Sequence, residues 1–139
     1  MTTAPPATST ERLQVQADSD VVRVRQLVRT VAQQARLSLV DQTKLVTAAS
    51  ELARNTLVYG GGGEVEVELV SDGRRSGVRA VFSDHGPGIA DLDLALTDGW
   101  TSGGGLGLGL SGSRRLVEQF SIDTAPGAGT RVEIATWSR

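Results

Sequence analysis

A chain of 139 residues fits one domain, and 39% hydrophobic with 22% charged residues is the composition of a packed globular protein rather than a disordered one. Fourteen basic against sixteen acidic side chains leave a net charge of −2, which argues against a protein built to coat nucleic acid. The absence of cysteine excludes disulfides, thiol catalysis and thiolate metal sites, and a single histidine, His85, excludes multi-histidine metal sites.

Residues 1–10 are small, polar and Pro-containing, and read as a flexible tail before a domain spanning 11–139. Leu13 and Val15 alternate with glutamines as a short first strand. Asp18-Ser19 then offers capping side chains for a helix whose Val21, Val24, Val28, Val31 and Ala35 share one face. After a break at Leu37-Ser38, a second helix from about Val40 to Tyr59 buries Leu45, Ala49 and Leu52. It carries a polar stripe of Thr47, Glu51 and Asn55 at four-residue spacing.

No glycine occurs in residues 1–59, and 15 of the 17 fall between Gly60 and Gly112. Gly60 to Gly63 therefore end the second helix. EVEVELV at 64–70 is a strand with Val65, Val67 and Leu69 inward. SDGRRSG turns the chain, and Val78 to Ser83 returns antiparallel. A loop, Asp84-His-Gly-Pro-Gly88, precedes a short helix at 91–97. A glycine-rich stretch at 98–109 leads into a helix over 110–119 with Leu116 and Val117 inward, and PGAG joins strands 120–125 and 130–137. This order predicts an α+β fold: a two-layer sandwich with a mixed, mostly antiparallel sheet and helices on one face. No apolar run approaches the ~20 residues that cross a bilayer, and the N-terminus lacks the basic start and apolar stretch of a secretory signal. The expected location is the cytoplasm, with no membrane partner.

Three segments have the residue types of a site: Glu51-Leu-Ala-Arg-Asn55, Asp84 to Gly88, and Gly105-Leu-Gly-Leu-Gly-Leu110. Singly each has an ordinary explanation, a solvated helix face, a turn and a surface loop. Gly107-x-Gly109-x-x-Gly112 fits the dinucleotide formula but lacks the preceding strand and the acidic residue about 20 positions on. No phosphate-loop motif with Gly-Lys-Ser/Thr occurs, and neither do the H-R-D and D-F-G motifs of typical protein kinases. What is left is glycine-rich backbone entering a helix, which can bind phosphate through exposed N–H groups.

Taken together and in this order, the three segments resemble the N, G1 and G2 boxes of the GHKL (Bergerat-fold) ATP-binding superfamily of gyrase-type ATPases, Hsp90-type chaperones, histidine kinases and anti-sigma-factor kinases. Within it, ELARN, the DxGPGI run from Asp84 to Ile89 and the SGGGLGLGL segment are similar to small stand-alone switch kinases of stress signalling. The resemblance covers about Asp18 to the C-terminus. It implies that Asn55 binds Mg²⁺ beside ATP phosphates, and that Glu51 is the general base toward an attacking hydroxyl. It implies that Asp84 accepts from the adenine amino group, with Gly86 and Gly88 beside the base and Thr130 completing the contacts. Gly105, Leu106, Gly107, Leu108 and Gly109 form the phosphate lid in this pattern, with Thr101 and Ser102 as neighbours. It further implies a protein-serine/threonine kinase acting on an STAS-domain antagonist, whose other partner is a downstream phosphatase or, alternatively, a sigma factor. A nucleotide-controlled module without catalysis is the remaining alternative, which Glu51 disfavours. Arg54, where many relatives carry a small residue, is open between a surface ion pair, a phosphate contact and a partner contact.

Overall fold

The computed structural model describes residues 7–96 and 109–139. In chain order they form β1 (Ala7–Val15), α1 (Asp18–Gln34), α2 (Leu39–Val58), β2 (Gly63–Ser71), β3 (Ser76–Asp84), α3 (Leu92–Ala95), α4 (Gly109–Arg115), β4 (Gln119–Thr124) and β5 (Thr130–Trp137). The strands make one sheet in the order β1-β2-β3-β5-β4. Every pairing is antiparallel, so the mixed sheet expected from the sequence is a purely antiparallel one. The reason is topological: β4 runs in the same direction as β3 but is separated from it by β5, its own hairpin partner.

Besides the short helix expected at 91–97, which is Leu92–Ala95, two boundaries and one helix cap differ from the sequence expectation. Strand β1 begins at Ala7 rather than near Glu11, and Ala7, Ser9 and Thr10 face Val70, Leu69 and Glu68 across the ladder. As an edge strand it is held there by backbone bonding, with no inward apolar pattern to reveal it. The helix expected over 110–119 ends at Arg115. Glu118 already donates its N–H to the Ala135 carbonyl at 3.1 Å, so the chain has joined the sheet, and Leu116 and Val117 pack on the core from outside the helix. The start of α1 is capped by neither Asp18 nor Ser19. The Asp20 carboxylate reaches back to the N–H groups of Gln16 (2.9 Å) and Ala17 (3.1 Å), satisfying donors that a helix start leaves open. Those donors, Gln16 first, hold its carboxyl below the usual aspartate range.

Helix α1 ends on Arg36 at φ 62°, a left-handed position where glycine is usual. Ser38 opens α2, its hydroxyl oxygen accepting the Asp41 N–H at 3.1 Å. The valine stripe of α1 and the Leu45, Ala49, Leu52 and Thr56 stripe of α2 are buried. They close on one sheet face of Val65, Val67, Val78, Ala80, Phe82, Val132 and Ile134, each large apolar side chain contributing about 1.5–3 kcal/mol by leaving water.

The other sheet face has no helix over it among the described residues, yet Val70, Val81, Ala135 and Trp137 are buried there. Charged side chains cover them in pairs: Arg12 with Glu66, Arg131 with Glu133, and Arg79 with Glu68. The last is a two-pronged contact of 2.8 and 3.2 Å, and the Arg79 guanidinium holds the Glu68 carboxyl below its usual range. Arg75 lies 5.7 Å over the Trp137 ring and 3.8 Å from Glu118. Among the described residues no helix is long and apolar enough to cross a membrane.

Candidate functional site

Glu51 and Asn55 lie four residues apart on α2 and are half-buried, on the flank next to the buried Leu52 and Thr56. Helical handedness and the strand order turn that flank toward α4, which packs against α2. The last turn of α2 is closed by the Asn55 carbonyl, which accepts from the N–H groups of Tyr59 (3.0 Å) and Gly60 (3.1 Å). The Thr56 carbonyl accepts from Gly62 at 2.9 Å. Gly61 and Gly62 take φ of 75° and 102°, as a helix-ending turn requires.

The glycine run does more than stop the helix. A Cβ on Gly60 would stand 2.4–2.6 Å from the Asp84 side chain, and one on Gly63 would be 2.1 Å from the Ser83 carbonyl. Gly60 and Gly63 are therefore what lets the end of α2 close onto the end of β3, bringing Asn55 and Asp84 to the same edge of the molecule. Asp84 is the last residue of β3 and stands directly across from Thr130 of β5. Its Oδ1 accepts the Gly86 N–H at 2.9 Å, which folds the loop back over the strand end.

Gly86 and Gly88 make close approaches to protein backbone. A Cβ on Gly86 would meet Gly60 at 2.8 Å, and one on Gly88, at φ 76°, would meet the Ala125 carbonyl at 2.0 Å. Gly129 completes the arrangement at φ 78°, where a Cβ would lie 2.2 Å from the Asp84 carbonyl. Sequence reasoning missed Thr124. Its hydroxyl accepts the Ile89 N–H (3.0 Å), donates to the Gly129 carbonyl (3.0 Å) and lies 2.9 Å from the Thr130 hydroxyl. One side chain thus ties the Asp84–Ile89 loop to the β4–β5 hairpin. A threonine in a strand carries no sequence signal of such a role.

The structure therefore brings Asn55, Asp84, Gly86, Gly88 and Thr130 to one end of the sandwich, around the junction of α2, β3 and β5, with Glu51 one turn farther back on α2. Gly109 is the first residue of α4, at φ 69°. Gly105, Leu106, Gly107 and Leu108, with Thr101 and Ser102, lie outside the described residues. A polar cleft lined by Gln14, Gln16, the Gly60–Gly63 run, Glu64, Ser83 and His85 contains neither Glu51 nor Asn55.

Residues 40–138, which include Glu51, Asn55, Asp84, Gly86, Gly88, Gly105 to Gly109 and Thr130, match the model of the family described as histidine kinase-, DNA gyrase B-, and HSP90-like ATPase, HATPase_c. The chain belongs to this ATPase family. Within it, the serine/threonine-protein kinase RsbT of Bacillus subtilis is 39% identical over 127 residues, covering 91% of this chain and 96% of RsbT. By that match the chain is an RsbT-like HATPase_c protein of the serine/threonine-kinase type. The virulence sensor protein BvgS of Bordetella bronchiseptica is 32% identical over 112 residues, 69% of this chain and only 9% of BvgS. Among solved structures, that of the RsbU and RsbW domains of Rv1364c from Mycobacterium tuberculosis superposes with a TM-score of 0.66. It is 21% identical, and the match spans 95% of this chain and 33% of that one. This likeness shows the HATPase_c fold.

Proposed function

We propose that the chain uses Mg·ATP to phosphorylate a serine or threonine of an STAS-domain antagonist protein, and that this releases it to activate a downstream phosphatase. The observation that carries the reading is the closure of Gly60 and Gly63 onto Ser83 and Asp84. It closes the end of the helix that carries Glu51 and Asn55 onto the Asp84 end of β3, in a chain 39% identical to a serine/threonine-protein kinase.

The side chains present suit a nucleotide with its cation. Among the described residues no three His, Cys, Asp or Glu side chains come together as a metal cage. A single amide oxygen completed by phosphates and water is coordination that Mg²⁺ accepts, and Asn55 is the residue that would supply it. Asp84 keeps Oδ1 on the Gly86 N–H, which orients the carboxylate to accept from the adenine amino group through its other oxygen. Thr130, opposite Asp84 and bonded to Thr124, would hold the other side of the base. Bound Mg·ATP supplies the phosphoryl group for transfer. Glu51, one turn before Asn55, takes the proton of the acceptor hydroxyl as general base. Gly105 to Gly109 would cover the phosphates with backbone N–H groups, leaving catalysis to positioning and electrostatics.

The experiment is phosphotransfer from labelled ATP to a purified STAS-domain protein. Glu51→Gln keeps size and hydrogen bonding but removes basicity, so the rate should fall by ~10² to 10⁴ while ATP affinity survives. An unchanged rate removes Glu51 from the role of base. Stable capture of a sigma factor in place of phosphatase activation assigns the chain to the anti-sigma branch.

A further inference from the structure

The outward side of the α1–α2 pair is charged differently from the rest of the surface. On α1, Val22, Arg25 and Arg29 follow one another at three- and four-residue spacing, and on α2, Arg54 and Val58 do the same. All five are exposed, Val22 by 48% and Val58 by 59%. The helices run antiparallel side by side, and helical handedness places these stripes on the outward flank between them. Arg36 and Lys44 add two exposed cations farther along the same layer. Among the described residues no side chain forms an ion pair or hydrogen bond with Arg25, Arg29, Arg36, Lys44 or Arg54. Of the four acidic residues of the two helices, Asp20 caps α1 and pairs with Arg23, Asp41 pairs with Arg139, Asp18 is the first residue of α1, and Glu51 lies on the flank of α2 that also carries Asn55.

We propose that this face, built on Arg25, Arg29 and Arg54 with Val22 and Val58 between them, is the docking surface for an acidic face of the protein that the kinase phosphorylates. It rests on the proposed kinase reading for the partner's identity. The chemistry of the partner follows from the surface: unpaired guanidinium groups call for carboxylates, and the exposed valines call for apolar contacts, which a phosphate backbone does not supply. A net charge of −2 for the whole chain also favours a protein over a nucleic acid. Position gives the surface its use. Arg54 is three residues after Glu51 and next to Asn55 on α2, so a partner seated there brings its hydroxyl to the flank where Glu51 waits.

The test is steady-state phosphotransfer to a purified STAS-domain protein by the intact chain and by Arg25→Gln/Arg29→Gln and Arg54→Gln variants, with thermal unfolding as the check on folding. The KM for the protein should rise roughly tenfold in the double variant, with the KM for ATP retained. Raising salt from about 50 to 200 mM should raise the unmutated KM more steeply than that of the variant. An unchanged protein KM and salt response in both variants overturns the proposal. If the unmutated chain transfers no phosphate, the kinase reading fails by itself. The same proteins are then compared by calorimetry for nucleotide-free binding of the STAS-domain protein, where equal affinities overturn the docking surface too. Binding of a 20-nucleotide RNA or of anionic vesicles that the double variant loses, with an unchanged protein KM, also overturns it in favour of those ligands.

Discussion

The two outer faces of the sandwich use charge in opposite ways. On the open sheet face Arg12, Arg75, Arg79 and Arg131 each stand against a glutamate, and together these pairs roof over Val70, Val81, Ala135 and Trp137. On the helix face Arg25, Arg29 and Arg54 pair with no described residue. The paired face works for the fold, since its charges keep water from apolar groups that no helix among the described residues covers. The unpaired face adds little to the fold and is left for binding. The site lies at the end where the helix and sheet layers meet, and there neither charge pattern matters as much as close backbone contact.

That junction should give the largest effect. Gly129→Ala forces a Cβ to 2.2 Å from the Asp84 carbonyl at a φ of 78°, and no flexible side chain can move aside. Strain and overpacking together predict a loss of about 2–4 kcal/mol in urea unfolding, with weaker ATP binding. A change under about 0.5 kcal/mol would show that the β4–β5 hairpin does not depend on this approach.

Next comes the paired face. Glu68→Gln leaves Arg79 partly buried without its anion and should cost about 1–3 kcal/mol at pH 7. The Arg79 contact lowers the Glu68 carboxyl below the usual glutamate value of 4.5. Its stabilisation is therefore complete above that value and is lost as pH falls through the folded-state value. The gap between the two proteins should close as unfolding curves are taken at pH falling from 4.5 through the lowered folded-state value. A gap that persists at that acidity would mean that the packing of the side chain, and not its charge, is what the substitution removed.

The helix face should give the smallest effect. Arg25→Gln/Arg29→Gln is expected to shift unfolding by less than about 0.5 kcal/mol, because no described partner is lost. A destabilisation comparable to that of Glu68→Gln would erase the contrast between the faces.

How far the sequence reached follows the same division. Element order was legible because the helix stripes and the strand alternation each point to one buried face, as Val24, Val28, Leu45, Val65 and Val67 show. Glu51 and Asn55 were legible as a pair because helical spacing alone puts them on one flank. The contacts that bring the segments together were not legible. Gly60 read as a helix stop, and nothing local says that it must also admit Asp84, 24 positions later. Thr124 read as an ordinary strand residue because its three hydroxyl contacts exist only once the hairpin has closed on the loop. The polar start of β1 was hidden for a related reason, since ladder bonds are made by backbone, which every sequence has. Gly105 to Leu108 stay as the sequence motif left them.

The central claim is that the end of β3, closed against α2, is a nucleotide site read by Asp84. Calorimetric titration of the unmutated chain and of Asp84→Asn with ATP and GTP, both with Mg²⁺, tests it most directly. The account predicts that the unmutated chain binds ATP and discriminates against GTP, and that the substitution weakens ATP binding by roughly tenfold or more while narrowing the discrimination. Equal ATP affinity in the two proteins would contradict it.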